Sequence, residues 1–186
     1  MVSVFGTRPA MAAGIFGFEI TRNYRESYNM FACSGILFNH ESWRRSIEFV
    51  TRKITNGVAK IHLGLGKNIS LGNIESYRDW SDARDMVKGM WMILQHNQPE
   101  DFVLASGKSR SIRDFLDISF KQIGIDNWQP YIIQEAKNMR PTEVDYLLGD
   151  ASKAKNKLGW TQEINFEQMV NDMIKNDIDQ LKHESQ

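Results

Sequence analysis

The chain has 186 residues, a length that suits one domain or a large part of a two-lobed one. It is 41% hydrophobic, 25% charged and 11% aromatic, enough apolar material for a real core, which argues against general disorder. Lys+Arg and Asp+Glu are both 23, so the net charge is zero, and broad binding to nucleic acid or a membrane surface, which needs a basic excess, is not expected.

Cys33 is the only cysteine, so the sequence holds no intramolecular disulfide and no cysteine-based zinc site. It lies in an apolar run and reads as core. No two histidines are close enough in sequence to suggest a metal site. No stretch approaches the roughly 18 apolar residues of a membrane span. Arg8 followed by apolar Pro9 to Phe18 is faintly like a secretory signal, but the same residues continue into an amphipathic pattern. A helix in a cytoplasmic protein is the expectation.

In chain order, Met1 to Ala10 carry no periodic signal. From about Ala12, Ile15, Phe16, Ile20, Tyr24 and Tyr28 recur at helical spacing. Phe31 to Phe38 is a nearly unbroken apolar run, predicted as a strand buried on both faces, of the kind found in parallel sheets. Asn39 to Ser46 reads as a polar loop leaving it. A helix follows over about 47–62, with Phe49, Ile54, Val58 and Ile61 inward, ended by Gly64 and Gly66. A short strand over 69–71 leads to a loop holding Arg78-Asp79-Trp80, and Asp79 or Ser81 caps a helix over about 82–96. A strand over 101–105 comes next. Ser111 and Asp114 approximate a capping box for a helix to about Gln122, with Gly124 beyond. A weak strand over 131–133 and helices over 151–158 and 166–181 complete the chain, with the last residues frayed. Strands alternating with helices predict α/β architecture.

Ligands of open α/β sheets bind beyond the carboxyl ends of strands, where Asn39, His40, Glu41, Arg44 and Arg45 fall. An asparagine offers sugar hydroxyls both a donor and an acceptor, and an arginine forks onto phosphate. The same residues also read as a solvated loop capping a helix. Arg78 and Arg140, beside an aromatic and a proline, suit guanidinium groups aimed at a diphosphate, or are surface charges. Glu143 suits a ribose hydroxyl, or pairs with Arg140.

Taken together, several stretches in one order carry a resemblance. They include Asn23-Tyr24-Arg25-Glu26, Gly35 to Ser42, Phe49 to Ile54, Leu71-Gly72-Asn73 and Arg78-Asp79-Trp80. Gln98 to Val103, Arg140-Pro141-Thr142-Glu143-Val144 and Leu148-Gly149-Asp150 continue the series. The sequence resembles the carboxyl-terminal half of the GDP-mannose 4,6-dehydratases, within the extended short-chain dehydrogenase/reductases, from about Gly14 to Asp179.

The resemblance implies an incomplete Rossmann-type fold: the carboxyl-terminal part of the nucleotide lobe plus a lobe that holds GDP-mannose. Residues 1–13 are then an atypical amino-terminal segment, suggestive of an altered start or joined reading frame, and 14–182 the family domain. It also implies that His40 and Arg45 touch NADP, and that Asn39, Lys53, Arg78, Arg140 and Glu143 line the GDP-mannose site. The implied reaction oxidises the sugar at C4, eliminates water across C5 and C6, and returns hydride to C6, giving GDP-4-keto-6-deoxymannose. Its redox steps use a Tyr-x-x-x-Lys pair, in which the lysine lowers the tyrosine pKa.

Departures from the pattern shape the functional expectation. Alignment on Asn23-Tyr24-Arg25-Glu26 places Ala10 and Gly14 where the family has that tyrosine and lysine, and none of the five tyrosines has a lysine four residues later. The only Gly-x-Gly, at Gly64 and Gly66, follows a helix and has Ile69 where a third fingerprint glycine would fall. Trp43 and Ser46 replace a usual proline and glycine. These residues alone are therefore expected to contain no catalytic residue and to be inactive. The alternatives are a non-catalytic GDP-sugar-binding module, or one half of a split enzyme completed by an amino-terminal fragment. A homo-oligomer is a further possibility for its assembly.

Overall fold

The structure, a computed structural model, describes residues 8–138 and 144–184. The elements are α1 (Arg8–Tyr28), β1 (Gly35–Leu37), β2 (Asn39–Glu41), α2 (Val50–His62), β3 (Ile69–Leu71), β4 (Tyr77–Asp82) and α3 (Ala83–Gln95). They continue with β5 (Phe102–Leu104), β6 (Ser109–Ser111), α4 (Ile112–Lys121), β7 (Ile132–Gln134), α5 (Ser152–Leu158) and α6 (Phe166–Glu184). β1 pairs with β5 and β3 with β7, both parallel, while β2, β4 and β6 form a three-stranded sheet in that order. Parallel strands joined through helices are the expected α/β, partial Rossmann-type architecture. Among the described residues no helix is long and apolar enough to cross a membrane.

The chain divides into two compact units: 1–40, 79–108 and 148–164 form the first, and 41–78, 109–147 and 165–186 the second. In the first, Leu37, Met86, Phe102, Leu104, Ala154 and Trp160 form a buried cluster against which Cys33 packs. Gly89 brings α3 onto β5, because a Cβ there would lie 2.6 Å from Leu104 Cδ1 and 2.8 Å from Trp160 Nε1. Asp101 accepts from both terminal nitrogens of Arg25, at 2.9 and 2.8 Å, and from the Ser34 amide at 2.7 Å. Arg25 also donates to the Ala32 carbonyl at 3.0 Å, so one guanidinium ties the end of α1 to the approach to β1.

The second unit is built on α2, α4 and α6, which pack on one another and bury Ile54, Val58, Phe115, Phe166, Met173 and Ile174, with Phe115 edge-on to Phe166. Charge is buried among them too. Arg52 on α2 is ion-paired with Asp177 on α6, donates to Thr55 Oγ1 at 3.0 Å and to the Arg45 carbonyl at 3.2 Å.

The structure departs from expectation at several elements. The strand predicted over Phe31 to Phe38 is only Gly35–Leu37, with Phe31 47% exposed. α1 starts earlier than about Ala12, and it buries Gly14 and Gly17 rather than its large apolar residues: Ile15, Phe16, Tyr24 and Tyr28 are exposed. It stops at Asn29, whose φ of 51° is left-handed. Phe49 is the N-cap of α2 and is exposed instead of inward. The loop over Asn39 to Ser46 begins as β2, and the one holding Arg78-Asp79-Trp80 is β4, with Asp82 capping α3.

Asp177→Ala leaves the Arg52 guanidinium buried without its counter-charge. Urea unfolding should show a loss of about 3–5 kcal/mol.

Candidate functional site

Asn39 and His40 belong to β2, in the first unit. The His40 ring is oriented by its Nδ1, 3.0 Å from the Phe38 carbonyl. A carbonyl only accepts, so this nitrogen is assigned the proton. Both residues are half-buried.

Glu41 differs from its two neighbours. It is 1% exposed, so of the polar residues expected to meet a ligand it is turned inward. Thr51 Oγ1 donates to its Oε2 at 2.5 Å, and Arg45 Nε lies 3.3 Å from the same oxygen. Burial pushes this carboxyl up to about 7, against the opposing pull of Arg45, the Thr51 hydroxyl and Arg52.

Arg45 is held at several points. Its amide donates to the Ser42 carbonyl at 3.1 Å, its own carbonyl accepts from Arg52, and its guanidinium carbon sits 3.9 Å from the centroid of the Phe49 ring. Lys53 is exposed in the first turn of α2, and its amide donates to the Phe49 carbonyl at 2.8 Å. Phe49 thus meets the Arg45 guanidinium with its ring and the Lys53 amide with its carbonyl at the start of α2.

Arg78 has other partners: its Nη1 donates to the main-chain carbonyls of Tyr77 and Val144, at 2.7 and 2.6 Å. The Val144 segment runs parallel to the start of β4 through a Tyr77–Tyr146 bridge. The guanidinium is therefore fixed next to Val144; Arg140 and Glu143 lie outside the described residues.

Because Asp82 caps α3, Asp79, read from the sequence as a candidate helix cap, has another role. It is fully buried, and its carboxylate accepts from the amides of Ser106, Gly107 and Gly149 at 2.8, 3.0 and 3.1 Å. Gly149 is required there, since a Cβ would meet Ala105 at 2.3 Å and Phe38 at 2.8 Å. The Gly64-x-Gly66 pair ends α2: Gly64 is left-handed at φ 71° and the Leu65 amide closes on the Lys60 carbonyl. Among the described residues no cluster of three or more His, Cys, Asp or Glu is arranged to hold a metal.

Comparison with solved structures defines the class of fold. RMD from Pseudomonas aeruginosa complexed with NADPH superposes with a TM-score of 0.85 at 18% identity, over 95% of this chain and 58% of that one. UDP-glucose 4-epimerase from Thermotoga maritima with UDP-glucose gives 0.81 at 18% identity, over 95% and 55%. A dTDP-glucose 4,6-dehydratase from Bacillus anthracis in complex with NAD gives 0.80 at 15% identity, over 97% and 55%. At such identities the likeness is one of fold: extended dehydrogenase/reductase architecture.

The sequence comparisons are narrower. The family model for GDP-mannose 4,6 dehydratase matches residues 7–173, and the chain belongs to that family. GDP-mannose 4,6 dehydratase 1 of Arabidopsis thaliana is 48% identical over 164 residues, 88% of this chain and 45% of its own length. The human GDP-mannose 4,6 dehydratase is 43% identical over 190 residues, covering 94% and 51%. The chain spans about half the length of the curated relatives it matches.

Two outcomes test this geometry. Asp79→Ala leaves three main-chain donors without their acceptor, at a cost of about 3 kcal/mol, and hydrogen exchange at Ser106, Gly107 and Gly149 should accelerate together. For Glu41 the folded pKa lies above the unfolded value, so its contribution to stability is full below about pH 4.5 and is lost as the pH rises through about 7. Glu41→Gln should remove that decline, up to about 3 kcal/mol, in unfolding curves compared between pH 4.5 and pH 8.

Proposed function

We propose that this chain supplies the GDP-mannose-binding part of a GDP-mannose 4,6-dehydratase, carried by residues 14–182. The observation that carries the reading is family membership across residues 7–173, with relatives of that name at 43–48% identity. Asn39, Lys53, Arg78, Arg140 and Glu143 line the nucleotide-sugar site in this proposal. Arg78, pre-oriented by two main-chain carbonyls, meets the diphosphate with little of its side-chain entropy left to lose. Lys53, exposed at the start of α2, adds a second positive charge where the helix amides also favour an anion.

NADP is the proposed cofactor, with His40 and Arg45 as its contacts. When bound it supplies the oxidant for the sugar C4 and the hydride for C6. The residues present fit part of that group: an oriented imidazole and a guanidinium stacked on Phe49. They do not include a glycine loop to cradle its phosphates, because the Gly64 turn is occupied in ending a helix. With Ala10 and Gly14 at the positions of the tyrosine and lysine, the 186 residues alone are expected to bind the sugar nucleotide without converting it. A further segment or a second polypeptide that carries the fingerprint and the Tyr-x-x-x-Lys pair would complete the enzyme. Among the described residues β1 pairs with β5 alone, and its other edge is where such a sheet would extend.

Calorimetric titration of the purified chain with GDP-mannose, against GDP and UDP-glucose, tests the reading. Saturable binding that prefers the guanosine ligands is expected, with Arg78→Ala weakening it at least about tenfold, or roughly 1.4 kcal/mol. Absence of binding by a chain that unfolds cooperatively would refute it.

A further inference from the structure

We propose that Glu41 is a positioning residue that governs Arg45: ionised, it holds the guanidinium for itself; protonated, it yields that charge to a phosphate-bearing ligand. The proposal rests on the reading of Arg45 as a cofactor contact and adds a residue and a proton to it.

The geometry makes the two anions competitors. Glu41 is buried, and its Oε2 has two close partners, the Thr51 hydroxyl at 2.5 Å and Arg45 Nε at 3.3 Å. The other charged group acting on it is Arg52, from α2, whose guanidinium is already committed to Asp177 on α6. Arg45 is therefore the cation that Glu41 relies on, and Arg45 is also the more exposed partner, at 15% against 2% for the side chains. A phosphate that draws on Arg45 leaves a buried carboxylate short of counter-charge, a costly state that proton uptake relieves. The proton comes from solvent and rests on Glu41. Because a carboxyl with about neutral affinity for a proton needs little persuasion, the exchange falls in the physiological range. By reciprocity, one linked proton makes the affinity fall by up to about tenfold per pH unit as pH rises through the Glu41 midpoint.

Two resonances decide the coupling before any ligand is added. In the full chain, the Glu41 side-chain carboxyl carbon should titrate with a midpoint near pH 7, and the chemical shift of the permanently charged Arg45 Nε should follow that same midpoint. Glu41→Gln should abolish the Arg45 inflection. Thr51→Val, which removes a hydrogen bond to the ionised form, should move both midpoints upward together and serves if the glutamine variant does not fold. A Glu41 carboxyl that titrates in the ordinary carboxylate range, or an Arg45 signal indifferent to it, overturns the proposal. NADP is then titrated at pH 6 and pH 8 in pairs of buffers with different ionisation enthalpies. Net proton uptake on binding, absent in Glu41→Gln, is expected; binding without uptake also overturns the proposal. No NADP-induced change at Arg45 at either pH refutes the cofactor reading, and a folded chain that binds GDP-mannose would show that the substrate reading stands apart from it.

Discussion

The second unit is organised around one buried guanidinium. Arg52 pairs with Asp177 on α6, with Thr55 on its own helix and with the carbonyl of Arg45 in the preceding loop. A buried charge is tolerable only when its partners are all in place, so these contacts act as a set rather than as a sum. The consequence for the site is mechanical. The segment that carries Arg45 is tied through Arg52 to the interior of a three-helix core, and a side chain on a loop inherits the order of a helix pair. The first unit has its own version in Arg25 and Asp101, which join the end of α1 to the Ser34 amide and the Ala32 carbonyl.

Local signals in the sequence were sound where the stabilising partner is also local. The Ser111 and Asp114 box forms with both reciprocal bonds, because donor and acceptor are three residues apart. The strand over Ile69–Leu71 matches its prediction, and Gly64 ends α2 as a left-handed glycine should. The failures share a cause. Arg78-Asp79-Trp80 reads as a loop until the amides of Ser106, Gly107 and Gly149 arrive to satisfy Asp79, and no periodicity announces partners 27 to 70 residues away. α1 misled in the opposite way. Its apolar spacing is helical, yet the buried positions are Gly14 and Gly17, which periodicity weights least. In the candidate site, the apolar run marked where β1 ends, but not that Asn39 and His40 continue as β2. That Glu41 beside them turns inward was not legible either, since Thr51 lies ten residues on and one helix later.

The fold is shared far more widely than the family sequence. The same half-sheet and helices superpose on RMD, on an epimerase and on a dTDP-glucose 4,6-dehydratase at 15–18% identity, so the architecture by itself does not choose among sugar nucleotides. The relatives at 43–48% identity share much more than architecture. The bonds that orient Arg78 and Arg45 are made to main-chain carbonyls, to an aromatic face and to a buried acid. Such contacts fix the direction of each guanidinium. They let a common scaffold present a particular pair of cations.

Glu41 and Asp79 make the contrast clearest. Both are buried carboxylates on short strands, and both would be expensive to leave ionised without partners. Asp79 is served by three main-chain amides, donors that are neutral, covalently fixed and unable to leave for another anion. Glu41 is served by a hydroxyl and by the guanidinium of a partly exposed arginine. An incoming phosphate cannot compete for amides behind a packed glycine, but it can compete for Arg45. The same burial therefore yields a permanent strut in one unit and a charge that answers to ligand and pH in the other. The difference follows from whether the counter-charge is built into the backbone or carried on a side chain that reaches solvent.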